Sequence, residues 1–188
     1  MNTTTHDAAS SPTTLSARKW CAPRIPLVLL VVTLVVVCDQ ITKHLALKSF
    51  QLGEIRPVVD GLFNLTLSFN RGAAFGLWSG LESGWREVVL GTTVLLAMSV
   101  VGYLLTRPYY NARVAQIALA GILGGAIGNV IDRFRYGAVI DFLDFYLGNS
   151  HWPAFNIADS AICVGVGLLL ILPKSNVTTH RILRSYRG

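Results

Sequence analysis

The chain has 188 residues, of which 52% are hydrophobic and 14% are charged, and its mean hydropathy is +0.51. Because a soluble domain carries about 25% charged residues, this composition excludes an ordinary soluble fold and indicates an integral membrane protein with one domain. The net charge of +6 lies mainly beside apolar runs, which argues against nucleic-acid binding. Cys21, Cys38 and Cys163 form no CxxC pair, so neither a zinc site nor a disulfide framework is indicated.

The N-terminal region begins with a polar tail. Residues 1–20 are predicted to be disordered, because most of them are Ser, Thr, Asp and Ala without an apolar period. Basic residues then precede the apolar run Ile25–Leu47, a pattern also found in cleavable signal peptides. No small-x-small cleavage site follows, and the run supplies the roughly 20 residues of a spanning helix, so we predict an uncleaved first transmembrane helix. The membrane domain is expected over residues 21–173, followed by a basic tail over residues 174–188.

The segment after this helix has the pattern of a strand. Apolar and polar side chains alternate from Phe63 to Phe69, and a period of two is typical of a half-buried strand. A turn signal at residues 70–72 follows, and residues 73–78 resume the apolar pattern. We predict a small sheet that lies against the outer membrane face, with Trp78 and Trp85 at the interface.

Three further spans are predicted over Val88–Leu105, Val114–Ile131 and Ala154–Leu172. Glycines spaced by four within residues 121–128 allow close helix packing in the third span. Residues 132–153 are expected to form a loop. The predicted fold class is membrane all-α with a small β element. It has four transmembrane helices, a periplasmic β-cradle between helices 1 and 2, and a short periplasmic loop or helix between helices 3 and 4.

The distribution of charge predicts the orientation in the membrane. With four spans both termini lie on one side, which holds nine of the sixteen basic residues and only one acid, Asp7. The excess of Lys and Arg assigns this side to the cytoplasm. All the other acids fall on the outer side, so we expect the chemistry near the outer face.

Polar side chains from three predicted helices reach the same outer level. Asp141 lies on the predicted loop beside them, and Ser160 and Cys163 continue the helical face of Asp159. Polar groups next to membrane-length apolar runs are costly and indicate function. The pairs at helical spacing are Asn156 with Asp159, Asn129 with Arg133, and Asp39 with Lys43.

We hypothesise that Asp141 and Asp159 meet and share a proton. Two close carboxylates do not both ionise cheaply, so one pKa rises. The ionised partner can then deprotonate a water, while the protonated partner polarises a peptide carbonyl and later protonates the leaving amine. No HExxH motif supports metal hydrolysis and no GxSxG motif supports a serine triad.

Structural roles compete with functional ones for each of these residues. Asp39 with Lys43 is the spacing of a helix-stabilising ion pair, and a carboxylate such as Asp159 can cap a helix. The remaining structural interpretations are a helix-end anchor for Asp132 and Arg133, a solvated loop acid for Asp144, a turn residue for Asn70 and a core position for Cys163.

Four sequence blocks resemble the lipoprotein signal peptidase family, also called signal peptidase II. They are DQITK at 39–43, FNRGAAFG at 69–76, GGAIGNVIDRFRYGAVIDF at 124–142 and PAFNIADSAI at 153–162. By this resemblance Asp141 and Asp159 match the catalytic pair, and Asp39, Lys43 and Asp132 match supporting positions. The positions that match the substrate and inhibitor site are Asn70, Asn129, Arg133 and Asn156.

The resemblance implies an aspartic endopeptidase of the bacterial inner membrane. Such an enzyme removes the signal peptide of a prolipoprotein just before its diacylglyceryl-modified cysteine, without a metal or cofactor. The implied partners are these precursors and membrane lipid but no nucleic acid, the expected state is a monomer, and cyclic peptide inhibitors of the globomycin type are expected.

Two other functions are compatible with an apolar chain that carries buried acids. In a proton-coupled carrier, Asp39, Lys43 and Asp159 would form a proton path, although the inner halves of the predicted spans are apolar. In a structural scaffold, the glycine faces would assemble partners. Both alternatives predict that Asp141→Asn leaves activity largely intact.

Overall fold

The computed structural model describes residues 24–72, 83–107 and 113–172. The predicted tails, residues 1–20 and 174–188, lie outside these ranges, and so do residues 73–78 with Trp78. In chain order the elements are α1 (Ile25–Ser49), β1 (Ile55–Val59), β2 (Phe63–Asn70), α2 (Ser83–Leu105), α3 (Arg113–Tyr136), β3 (Val139–Leu147), β4 (Ser150–His151) and α4 (Ile157–Ile171).

Within the described ranges, three helices are long and apolar enough to cross a membrane: α1, the Val88–Leu105 part of α2, and α3. The fourth predicted span is shorter than expected, because α4 has 15 residues. At about 1.5 Å per residue it covers roughly 22 Å, against a hydrocarbon core of about 30 Å. It begins at Ile157 rather than Ala154, since Phe155 is extended and bridges to Leu143.

Helix α3 is the centre of the helical packing and contacts α1, α2 and α4. Its glycines permit this, as a Cβ at Gly124 would lie 3.1 Å from the Val32 carbonyl oxygen of α1, and one at Gly125 would meet the Ala158 carbonyl oxygen of α4. The close approach predicted from the glycine spacing is therefore present. The helix also continues five residues beyond the predicted end at Ile131, so its polar last turn stays helical.

The four strands form one antiparallel sheet in the order β1-β2-β3-β4. The strand predicted from Phe63 to Phe69 is confirmed as β2, which also includes Asn70. The prediction of a loop or short helix between helices 3 and 4 is wrong, because Val139–Leu147 forms β3 and pairs with β2. An irregularity in the pairing lies between Leu65 and Ser68, and Ser68 stands opposite Asp141.

The sheet packs against the end of α1. Ala46 of α1, Leu67 of β2, and Ile140 and Phe142 of β3 form a buried apolar cluster. Burial of such side chains stabilises the contact by about 25 cal/mol per Å² of apolar surface. This packing holds Asp141, between Ile140 and Phe142, beside the ends of the helices.

Candidate active site

The two aspartates predicted to meet are brought together from different elements. Asp141 lies on β3 and is 2% exposed, and Asp159 lies in the first turn of α4. The negative charge of Asp159 acts on the Asp141 carboxyl. Asp141 is thus on a strand and not on the loop that the sequence predicted, and the strand fixes its position more firmly than a loop would.

Asn156 connects the two aspartates. Its Nδ2 donates a hydrogen bond of 2.7 Å to Asp141 Oδ1, and its Oδ1 accepts one of 2.9 Å from the backbone N–H of Asp159. The second bond makes Asn156 the N-cap of α4, the position at which an asparagine satisfies a free N–H of the first turn. One fully buried side chain therefore starts the helix that carries one aspartate and orients the other.

Asn129 of α3 holds Asp159 in a similar way. Its Nδ2 donates a 2.7 Å hydrogen bond to Asp159 Oδ1. Its Oδ1 accepts hydrogen bonds from Lys43 Nζ at 3.0 Å and Asn156 Nδ2 at 3.3 Å. A lysine ammonium has no acceptor atom, so the contact with Lys43 fixes which end of the Asn129 amide faces Asp159.

Lys43 is the centre of a buried ionic cluster beneath the aspartates. Its Nζ lies 2.8 Å from Asp39 Oδ2 and 2.7 Å from Asp132 Oδ2, and all three side chains are almost completely buried. The predicted i,i+4 pair of Asp39 and Lys43 is present. With the Asn129 contact, the three donors of the ammonium have three acceptors, as a buried charge requires.

The two acids of this cluster also hold backbone groups. Asp132 Oδ2 accepts the N–H of Ile140 at 3.1 Å, which ties the end of α3 to the strand before Asp141. Asp39 Oδ1 accepts the N–H of Ala158 at 2.9 Å, which ties α1 to the first turn of α4. The cluster therefore fixes the two elements that carry the aspartates.

The environment of Asp141 changes its acidity. Burial, followed by the charge of Asp159, raises the pKa of Asp141 from 3.8 to about 7, while hydrogen bonds from Asn70 and Asn156 and the charge of Lys43 oppose the rise. This carboxyl therefore keeps its proton to a much higher pH than an ordinary aspartate does. A pair of carboxylates with one proton is the arrangement that acid–base catalysis of hydrolysis needs.

Arg133 and Asn70 border this region. Arg133 Nη1 donates to the Asn129 carbonyl oxygen at 3.2 Å, and the charges of Asp159 and Asp141 act on its guanidinium. Asn70 ends β2, and its Oδ1 accepts the N–H of Gly72, a residue with φ of +93°. The turn role inferred for Asn70 is thus present alongside its contact with Asp141.

Two structural interpretations from the sequence are wrong. Asp144 is not a solvated loop acid: it is 6% exposed on β3, and its carboxylate accepts from Asn64 Nδ2 at 2.9 Å and contacts His151 Nδ1 at 3.0 Å. Cys163 is not in the core, since it lies on the exposed surface of α4. The partner of Asp144 is Asn64 on β2, 80 positions earlier in the sequence. Cys163 lies one turn beyond Asp159 and Ser160 on α4, where the helix surface is exposed.

Gln40 is a site residue that the sequence reasoning did not single out. Its Nε2 donates to Asp132 Oδ1 at 2.9 Å, to Asp39 Oδ2 at 3.3 Å and to the Gly128 carbonyl oxygen at 3.3 Å. A glutamine next to an acid within an apolar run was the available signal. Gly128 leaves the space for this contact, because a Cβ there would lie 2.5 Å from Asp39 Oδ2.

The fold and the site define a helical, multi-pass membrane protein with a small sheet and a buried carboxylate pair at the ends of its helices. The chain belongs to the signal peptidase II family: the family model described as Signal peptidase (SPase) II matches residues 31–173. Members of this family are proteases.

Individual relatives agree with this assignment. The chain is 44% identical over 148 residues to the lipoprotein signal peptidase of Syntrophus aciditrophicus, covering 78% of this chain and 92% of the relative. It is 50% identical over 137 residues to that of Burkholderia pseudomallei, covering 73% and 81%. A solved structure described as a bacterial membrane enzyme has a TM-score of 0.70 at 30% identity, covering 80% of this chain and 94% of that one.

Proposed function

We propose that the protein is an intramembrane aspartic endopeptidase that removes the signal peptide from diacylglyceryl-modified prolipoproteins, just before the lipidated cysteine. Family membership and relatives named lipoprotein signal peptidase support the substrate class. The single observation that carries the mechanism is the pair of asparagine amides, which hold Asp141 and Asp159 from separate elements beside one another.

In the proposed mechanism, Asp141 and Asp159 activate one water between them. The ionised carboxylate takes a proton from the water as its oxygen attacks the carbonyl carbon, while the protonated carboxyl donates to the carbonyl oxygen. The tetrahedral intermediate then collapses: the carboxyl that took the water proton gives it to the leaving nitrogen as the C–N bond breaks, and a hydroxyl of the intermediate returns its proton to the other carboxylate. The pair again holds one proton. Asn156 donates to Asp141 Oδ1 and Asn129 donates to Asp159 Oδ1, so each amide orients one of the two carboxylates toward the water.

The other polar residues have separate roles in this proposal. Asp39, Lys43 and Asp132 support the pair by holding Asn129, Ile140 and Ala158. The acyl chains of the substrate remain in the bilayer while the peptide enters the site. In this proposal, the site that binds the substrate, and cyclic peptide inhibitors of the globomycin type, is lined by Asn70, Asn129, Arg133 and Asn156.

We assign the protein to the bacterial inner membrane as a four-span monomer. Both termini are cytoplasmic in this arrangement, and the carboxylate pair lies near the periplasmic face. The excess of Lys and Arg on the side of the termini supports the orientation. Neither a metal nor a cofactor takes part in the proposed reaction.

The test is cleavage of a diacylglyceryl-modified precursor by the purified protein. Asp141→Asn and Asp159→Asn should each reduce cleavage by at least about 1000-fold, since each removes one partner of the acid–base pair. Asp60→Asn, at an exposed turn acid, is the matched control and should cleave like wild type. Thermal unfolding in detergent checks that the variants fold. Cleavage near the wild-type rate by either folded site variant would refute the mechanism.

A further inference from the structure

A cavity of about 330 Å³ lies between α2 and α3, beside the carboxylate pair. Its walls are largely apolar, formed by Leu90 and Val94 of α2 and by Val130 and Phe134 of α3. Among the described helices, α2 packs mainly against α3, and most of its apolar span is exposed. The cavity is therefore open toward the surface that faces lipid.

Two arginines line the same cavity. Arg71 follows β2 and Arg133 lies in the last turn of α3, and the described part of the lining contains no Asp or Glu. Neither guanidinium forms a salt bridge with a side chain that the structure describes. The charges of Asp159, Asp141 and Asp132 act on Arg133 from a distance. Its hydrogen bond of 3.2 Å to the Asn129 carbonyl oxygen uses few of its five N–H donors.

We infer that this cavity binds an anionic phospholipid, with the phosphodiester on Arg71 and Arg133 and one acyl chain along the wall of α2 and α3. A guanidinium matches the geometry of phosphate, and the apolar wall matches a hydrocarbon chain. Ligand pockets occupy about 300–1000 Å³, so this one holds a headgroup and the upper part of one chain, while the rest of the lipid stays in the bilayer.

The charge of the cavity separates this ligand from others that enter from lipid. A diacylglyceryl group linked to cysteine through a thioether is uncharged and leaves Arg71 without a counter-charge. A zwitterionic lipid brings its own cation to a site that already has two. An anionic lipid adds a negative charge without a second cation, and it goes beyond the proposed peptidase reaction, in which no phosphate takes part.

The first test measures retention of lipid by the purified full chain, using native mass spectrometry in detergent with phosphatidylglycerol or phosphatidylcholine. Phosphatidylglycerol should bind at least about tenfold more tightly. Arg71→Gln should lower its affinity about tenfold, the loss typical of one charge-assisted hydrogen bond. Arg135→Gln removes the same charge from the same end of α3 but outside the cavity, and should have little effect.

A second variant tests, independently of charge, the apolar wall along which the acyl chain is proposed to lie. Gly91 lines the cavity, and a Cβ placed there meets nothing within 4 Å. The side chain of Gly91→Leu therefore enters open space and occupies part of the cavity. Gly102→Leu makes the same change on the same helix, also without a close neighbour, but away from the cavity. Phosphatidylglycerol retention should fall about tenfold or more in the first variant and stay at the wild-type level in the second.

Three results would overturn the inference. They are equal retention of the two lipids, equal effects of Arg71→Gln and Arg135→Gln, and unchanged retention by Gly91→Leu. Equal retention would assign the cavity to uncharged acyl chains. Asp141→Asn removes a negative charge that acts on Arg133, so it should abolish cleavage without weakening retention of phosphatidylglycerol. A failure of lipid binding is therefore distinguishable from a failure of the peptidase proposal.

Discussion

Lys43 is the residue on which the polar interior depends, because two buried carboxylates and an orienting amide share its ammonium group. Lys43→Met keeps most of the side-chain volume but leaves Asp39 and Asp132 without their cation. Removing one partner of a buried ion pair costs about 3–5 kcal/mol. We expect a large fall in the thermal unfolding temperature in detergent.

Lys48, an exposed residue near the end of the same helix, offers the matched control. Lys48→Met should unfold near the wild-type temperature, because an exposed charge contributes little. Equal unfolding temperatures for the two variants would contradict the central position of Lys43. A Lys43→Met protein that folds should also cleave slowly, since Asn129 would no longer be fixed in the orientation that donates to Asp159.

The raised pKa of Asp141 predicts how activity depends on pH. Burial and the charge of Asp159 raise this pKa to about 7, and the proposed reaction needs one proton on the pair. The rate should therefore fall about tenfold per pH unit well above pH 7, as that proton is lost. The measurement is kcat/KM of precursor cleavage across pH 5–9, and a rate that stays constant up to pH 9 would contradict the prediction.

The same shift has a consequence for stability that needs no substrate. The pKa of Asp141 is 3.8 in the unfolded reference and about 7 in the fold. The folded state holds the extra proton between these values, so stability falls as pH rises through this window. Asparagine does not titrate. The unfolding temperature of Asp141→Asn relative to wild type should therefore rise from pH 4 to pH 7 and then level off, whereas a constant difference would exclude the shift.

At the scale of elements, the contact between α3 and α4 depends on glycine. A Cβ at Gly165 would lie 2.6 Å from the Ala118 carbonyl oxygen and 2.6 Å from Ile122 Cγ1. A backbone oxygen in a packed helix cannot move aside cheaply, so Gly165→Ala should separate the helices at a cost of about 1–3 kcal/mol. Thermal unfolding in detergent measures this cost.

Gly167, two residues further along α4, provides the comparison, since a Cβ there meets nothing within 4 Å. Gly167→Ala should be neutral or stabilising by up to about 1 kcal/mol, because alanine favours the helix. If both alanine variants unfolded alike, the contact between α3 and α4 would not be limited by the missing side chain.

The sequence predicted the elements whose pattern is local. Long apolar runs predicted α1, α2 and α3, and the alternation from Phe63 to Phe69 predicted β2. Strand β3 was missed because Asp141 and Asp144 are three residues apart. This odd spacing puts them on opposite faces of a strand and leaves no single polar face to recognise.

The sequence singled out the two aspartates that the fold brings together, but neither Gln40 nor the contacts that connect the site. Charged and amide side chains beside apolar runs drew attention to Asp141 and Asp159, since such groups are rare without a role. The orientation of Asn129 depends on Lys43, which is 86 residues away, so no local pattern contains it. Roles inferred from local spacing, such as that of Cys163, failed where tertiary packing decided the outcome.

For the whole molecule, the proposed orientation predicts which surfaces face the cell exterior. Ser150 on β4 and Thr106 after α2 are both exposed and lie on opposite sides of the membrane in this proposal. In chains whose native cysteines are replaced by serine, a membrane-impermeant maleimide should label Ser150→Cys in cells with a permeabilised outer membrane. Thr106→Cys should be labelled only after the inner membrane is also opened. The reverse pattern would invert the orientation.

The bond between Asp39 and the Ala158 N–H joins residues 119 positions apart, from the first helix and the last. During translation, α1 reaches the bilayer long before the ribosome has made its later partners. Asp39 and Lys43 lie one turn apart on α1, so their ion pair needs no residue of a later helix. Asp132 joins them when α3 arrives, and Ala158 completes the set last. Nascent chains that stop before α4 therefore contain the charges of the site without the segment that carries Asp159.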